Sequence, residues 1–205
     1  MTSFSRLEKR DLTITIIVIT FLFTYLFSKG SNLATFVLLL PVSFVAVGLS
    51  FVLHELGHKY MAQEYGFYAE FKMWMQGLIL AIFTAFLGFI FLAPGAVYIS
   101  AYQITDEQNG KISLAGPIVN IILAIIFLIL KITVLPLLTT PDLLTFELAM
   151  IILIGFNVNS FLAFFNLLPI PMFDGSKIFK WNKPIWIVVF VTSLLLTGIS
   201  YTGVI

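Results

Sequence analysis

Residues 33–65 read LATFVLLLPVSFVAVGLSFVLHELGHKYMAQEY, an apolar run that ends in a cluster of ionisable side chains. No residue from Leu33 to Leu53 is charged, and about 20 such residues are what a helix needs to cross a hydrocarbon core. His54, Glu55 and His58 follow at once, in the order HExxH. An ionisable side chain inserted at such depth costs about 2.5–3.5 kcal/mol. HExxH arises readily by chance in a soluble chain. A glutamate flanked by the only two histidines of the sequence, at the end of an uncharged span, requires a purpose.

The rest of the chain has the same character. Of its 205 residues 60% are hydrophobic and 10% charged, with a mean hydropathy of +1.07, against about 25% charged in a soluble domain. Four further segments approach spanning length: 12–28, 113–135, 143–167 and 184–204. A sixth apolar stretch, 78–92, is short for a crossing. The fold class expected is an all-α polytopic membrane protein, with five transmembrane helices, a re-entrant hairpin and a small membrane-associated β element. The β element is placed at 94–102, where a Pro-Gly break precedes a run of β-formers. Gly110 is read as ending a polar loop over 105–109, and Ser113 as capping the next helix. The connecting pieces are too small for a soluble regulatory domain, so residues 1–205 are read as one intramembrane domain. Arg6, Lys9 and Arg10 precede an apolar stretch too long for a secretory signal, so that helix is expected to be retained. A net charge of +1 without basic or acidic runs gives nucleic acid nothing to bind.

The chain has no cysteine, so any metal must be held by nitrogen and oxygen. Two imidazoles four residues apart share one helix face and can converge on one cation. Glu55, about 100° round the helix from His54, can reach a zinc-activated water as general base without being a ligand. A zinc site takes three protein ligands plus water, so a third must come from elsewhere. Asp174 is the candidate: it follows Pro169 and Pro171, which force extended backbone, and precedes Gly175. On local grounds it is equally an ordinary Asp-Gly turn. Gly116 and Asn120 suit close helix packing with an interhelical hydrogen bond, the reading preferred to contact of Asn120 with substrate. Glu147, early in its helix, reads as snorkelling to the interface.

Taken together, His54-Glu55-Leu56-Gly57-His58, Ala115-Gly116-Pro117-Ile118-Val119-Asn120 and Asn166-Leu167-Leu168-Pro169-Ile170-Pro171-Met172-Phe173-Asp174-Gly175 resemble the motifs of the site-2 protease family of intramembrane metalloproteases. The likeness covers roughly residues 45–180. It implies that His54, His58 and Asp174 bind one zinc ion per chain and that Glu55 is the catalytic base. It also implies that Asn166 assists substrate or transition-state binding. The chain departs from the simpler family pattern in the apolar insert at 78–92. A CAAX-type membrane protease also uses HExxH, but its later glutamate motif has no match around Glu147.

Lysine and arginine placement gives an independent argument. With a cytoplasmic N-terminus, His58 ends near the cytoplasmic face, and Asp174 can meet it only after an even number of crossings. Segments 113–135 and 143–167 supply two, so 78–92 must return to the face it left. Nine basic residues, Arg6, Lys9, Arg10, Lys59, Lys72, Lys111, Lys177, Lys180 and Lys183, then lie inside, and Lys29 and Lys131 outside. The expectation is a multi-pass integral membrane protein with its N-terminus and active-site end cytoplasmic. Its expected function is zinc endopeptidase cleavage in or near transmembrane segments of membrane-protein substrates, with the bilayer as the other partner. The alternative is a zinc transporter or non-catalytic metal-binding membrane protein. For a helical substrate to be cut it must unwind, and 94–102 is read as an edge strand that receives it.

Overall fold

The computed structural model describes residues 4–90 and 94–202. It is 77% helical. Among the described residues, five helical segments are long and apolar enough to cross a membrane: Arg6–Phe27, Leu33–Glu64, Asp106–Leu137, Leu143–Asn166 and Lys183–Thr202. Their starts are set by side-chain caps. Ser5 Oγ accepts the Glu8 N–H ahead of α1 (Arg6–Phe27), and Asn32 Oδ1 accepts the Thr35 N–H ahead of α2 (Leu33–Ser43).

The opening stretch forms one rod: α2, a π-helical segment Phe44–Leu49, then α3 (Ser50–Glu64). Pro41 lies inside α2, where it lacks a donor and crowds the preceding turn. The wider π turn follows and resets the phase of α3, which carries the histidines. A periodicity count does not register such a turn. Gly48 lies in it because α1 crosses there: a Cβ would come 2.8 Å from Ile16 Cγ1. Ile19, Ala46, Val47, Phe51 and Phe71 make the core on this side.

Past α3 the chain makes β1 (Tyr68–Met73), α4 (Met75–Leu87) and β2 (Gly95–Ser100). The strands pair antiparallel with Phe71 opposite Val97 and Met73 opposite Gly95. The Trp74 N–H donates to the Pro94 carbonyl at 2.9 Å, so the excursion between them closes on its own starting point. The stretch 78–92 is thus mostly α4, which begins earlier than expected; residues 91 and 92 lie outside the described residues. The expected strand 94–102 is the shorter β2, and its partner β1 comes from a stretch read only as a connection.

Next come α5 (Asp106–Thr133), α6 (Leu143–Asn166), α7 (Asp174–Trp181) and α8 (Lys183–Thr202). Here the reading of 105–113 is corrected. Thr105 caps α5 in a capping box with Gln108, so the supposed polar loop is already helix and Ser113 lies buried in its second turn. The polar residues mark the exposed first turn of a helix, not a break. Gly110, read as a loop end, is a packing glycine: a Cβ would come 2.5 Å from Trp181 Cβ. That contact holds α7 on α5, with Lys180 Nζ 2.7 Å from Asp106 Oδ1. Ala124, Phe156, Ala163, Leu167 and Ile178 make the core between α5, α6 and α7.

Candidate metal centre

The two histidines of α3 point at α5, and α7 brings Asp174 to them from the other side. The separations are 3.1 Å for His54 Nε2 to His58 Nε2, 3.1 Å for His58 Nε2 to Asp174 Oδ2 and 3.6 Å for His54 Nε2 to Asp174 Oδ2. Ligands about 2.0–2.1 Å from a tetrahedral zinc stand about 3.3 Å apart, so the trio fits that ion. Among the described residues it is the cluster of His and carboxylate groups close enough to hold a metal. The two sequence motifs, more than a hundred residues apart, therefore do meet.

Local chemistry explains the placement of Asp174. Past Leu167 the chain turns twice, the Ile170 N–H donating to the Leu168 carbonyl and the Phe173 N–H to the Ile170 carbonyl. Asp174 then opens α7. Gly175 is needed for close approach, since a Cβ there would fall 2.5 Å from the Leu168 carbonyl oxygen. Burial alone would push the Asp174 carboxyl up, but His58 and His54 beside it hold it well below the usual carboxylate range. Lys177 Nζ lies 3.7 Å from its other oxygen.

The far sides of both rings are also fixed. His58 Nδ1 is 2.8 Å from the Ile112 carbonyl, which can only accept, so Nδ1 carries a proton and Nε2 is the nitrogen left to a metal. His54 Nδ1 is 2.5 Å from Asn120 Oδ1. A chain of bonds orients that amide: Asn120 Nδ2 donates to Asn159 Oδ1 at 2.9 Å, and Asn159 Nδ2 donates to the Gly155 carbonyl at 2.8 Å and to Ser50 Oγ at 2.9 Å. Ser50 in turn donates to the Ala46 carbonyl. Since Gly155 offers only an acceptor, every amide in the series has one orientation, and Asn120 presents oxygen to His54. The expected interhelical bond of Asn120 exists, and it runs to His54 of the candidate trio. Gly116 does more than admit packing: a Cβ would come 2.7 Å from His54 Nε2 and 2.6 Å from His58 Cε1.

Glu55 is buried, and among the described residues its Oε2 has no hydrogen-bond partner. Beside these groups opens a cavity of about 710 Å³ lined by His54, Glu55, Asp174, Val97 and several phenylalanines. Asn166 lines it too, with Nδ2 donating one of its two hydrogens to the Leu162 carbonyl at 2.9 Å. Glu147 stays half-buried near the start of α6, apart from the cluster.

Sequence reasoning passed over Asn159 and Ser50, and gave Asn120 an interhelical hydrogen bond without naming His54 as its partner. The signal was there: amides in the middle of apolar helices are expensive, and each needs a partner.

Known proteins bear on this arrangement. Residues 42–141, which include HExxH and Gly116 to Asn120, match Peptidase family M50. A candidate zinc metalloprotease of Methanocaldococcus jannaschii is 44% identical over 187 residues, covering 91% of this chain and 90% of that protein. A zinc metalloprotease of the same organism is 29% identical over 168 residues, 79% of this chain and 40% of its own length. The candidate zinc metalloprotease Rip2 of Mycolicibacterium smegmatis is 31% identical over 108 residues, 43% of this chain and 42% of its own. No solved structure matches significantly. With a relative alike over nearly its whole length and a family match over residues 42–141, the chain belongs to Peptidase family M50, the site-2 protease family.

Proposed function

We propose that this protein is a zinc endopeptidase that hydrolyses peptide bonds in or near transmembrane segments of membrane-protein substrates. One observation carries the reading: three candidate ligand atoms converge at tetrahedral spacing beside a buried carboxylate oxygen that has no partner among the described residues. His54, His58 and Asp174 would hold one zinc per chain. When bound, zinc supplies Lewis acidity, making water nucleophilic near neutral pH and polarising the scissile carbonyl. Glu55 takes the proton of the attacking water at its free Oε2 and passes it to the leaving amine. Asn120 and the Ile112 carbonyl keep both imidazoles in the ligating tautomer throughout. Asn166 offers its second amide N–H to the substrate. The test is direct: the purified protein should carry one zinc, chelation should abolish cleavage of a transmembrane peptide, and zinc should restore it. A protein that cleaves equally well without metal would refute the reading.

The sheet supports a mode of substrate entry. The Phe71 N–H donates to Glu8 Oε1 at 3.1 Å and the Met73 N–H to Asp11 Oδ2 at 3.2 Å, so both residues turn their polar backbone away from β2. In an antiparallel pair their partners Val97 and Gly95 then turn theirs to the opposite edge. Val97 lines the cavity with Glu55, and an extended substrate would add its strand there. Val97→Pro removes the outward N–H, which faces the Glu55 carboxylate and whose loss an edge tolerates, and should cut cleavage by up to about ten-fold, the worth of one good hydrogen bond, with zinc retained. Tyr98→Pro instead removes a bond to β1 and should loosen the sheet. Wild-type cleavage by Val97→Pro would sink the edge-strand reading.

The excursion through α4 is best explained by a helix that dips into the bilayer and returns. Ile79, Phe83 and Phe86 on it are 59%, 61% and 67% exposed, an apolar face suited to lipid. The N-terminus, β2 and α7 would share the cytoplasmic side. Because the chain lacks cysteine, single cysteines report this cleanly. Tyr102→Cys should react with an impermeant thiol reagent from the cytoplasmic side, and Ser31→Cys and Thr139→Cys from the other. Labelling of Tyr102→Cys and Ser31→Cys from one side would refute this topology.

A further inference from the structure

We propose that Glu8 is a positioning residue for cleavage, whose carboxylate sets the spacing between the helix that carries the metal site and the sheet that receives the substrate. The inference rests on the function proposed above. Glu8 sits in the first turn of α1, far in sequence from both elements. Its Oε2 is 2.5 Å from Lys59 Nζ, and its Oε1 accepts the Phe71 N–H at 3.1 Å. Lys59 directly follows His58, and Phe71 is the register partner of Val97. One side chain thus joins the residue next to a metal-site histidine to the strand opposite the substrate edge.

Stability does not account for this pair. Glu8 and Lys59 are each 1% exposed, and a buried ion pair is no more stabilising than well-packed apolar residues of the same volume. An apolar pair would, however, leave the Phe71 N–H without an acceptor and would tie nothing to nothing. The contact is also repeated one turn later. Asp11 accepts the Met73 N–H with Oδ2 while Oδ1 takes two bonds from Arg10. Ser5 Oγ donates to Glu70 on the same strand. A strand edge near a membrane needs its donors satisfied, and α1 satisfies them with carboxylates whose reach is fixed. The substrate's peptide bond would then be placed against Glu55 by two rigid links: substrate to β2, and β1 through Glu8 to α3.

The zinc-loaded full-length protein and a transmembrane peptide substrate provide the test, read by zinc per chain, kcat, KM and the mass of the products. Glu8→Asp, one methylene shorter, should keep one zinc per chain, lower kcat about 10- to 100-fold as expected for a reactant misplaced by about 1 Å, and release products cut at neighbouring peptide bonds. The double variant Glu8→Met/Lys59→Met fills the same space with neither a buried charge nor an acceptor for the Phe71 N–H, and should show the same scatter of cut sites even if Glu8→Asp folds poorly. A single wild-type cut site at wild-type kcat in the double variant would overturn the proposal, as would a loss of rate that only tracks loss of zinc. Those results leave the protease reading standing. A zinc-loaded wild type that cuts no peptide would overturn both.

Discussion

Glu55→Gln should lower the rate of peptide cleavage about 10²–10⁴-fold, the usual contribution of a general base, while zinc stays at one per chain. The substitution changes no ligand and almost no volume. Glutamine fills the same buried space beside His54 but cannot take a proton. Thermal stability should not fall, because a neutral amide is cheaper to bury than a carboxylate whose Oε2 is unpartnered. Asp174→Ala gives the contrasting result: activity disappears because the third ligand is gone, and zinc is lost with it. Metal analysis and product masses on the same preparations separate the two. Unchanged cleavage in Glu55→Gln would remove the hydrolytic mechanism, and zinc bound without any cleavage in the wild type would favour the transporter or non-catalytic reading.

The spans were legible because a bilayer imposes length: uncharged runs such as Leu33–Leu53 have few other uses. The histidine pair was legible because α-helical periodicity puts positions 54 and 58 on one face. What escaped was set by contacts between distant segments. The polar stretch at 105–111 looks like a loop by composition, yet a capping box and the packing of Gly110 on Trp181 make it helix. The π turn at Phe44–Leu49 arises from the crossing of α1 as well as from Pro41, and composition does not encode a crossing. β1 was missed for the same reason: its edge is completed by Glu8 and Asp11, which lie some sixty residues earlier.

The metal site shows both limits. Asp174 could not be told from a turn-forming aspartate by its neighbours alone; the resemblance supplied the role, and the geometry brings its Oδ2 within 3.1 Å of His58. Asn120 had the right signature, a buried amide in an apolar helix, but several partners would satisfy it. The amide series from Gly155 through Asn159 leaves one orientation, with oxygen toward His54. A sequence names such residues; only the fold decides which atom each one presents.

Gly116→Ala should abolish zinc binding although it removes no ligand. The added methyl would lie 2.7 Å from His54 Nε2 and 2.6 Å from His58 Cε1, against the ring edges that would hold a bound ion. Relief would require α5 to retreat from α3 or the rings to turn. Neither is cheap. The rings are pinned from behind by Asn120 and the Ile112 carbonyl, and the helices are already close, a Cβ on Gly57 coming 3.0 Å from the Ala115 carbonyl oxygen. Loss of outer contacts alone costs about 10- to 100-fold in metal affinity, so direct intrusion on the rings should exceed that. Gly198→Ala is the control: a Cβ there meets nothing within 4 Å, and the change should leave zinc and cleavage intact while slightly favouring helix. Wild-type zinc affinity in Gly116→Ala would mean that α5 does not press on the histidines as described, and the metal-site geometry would have to be redrawn.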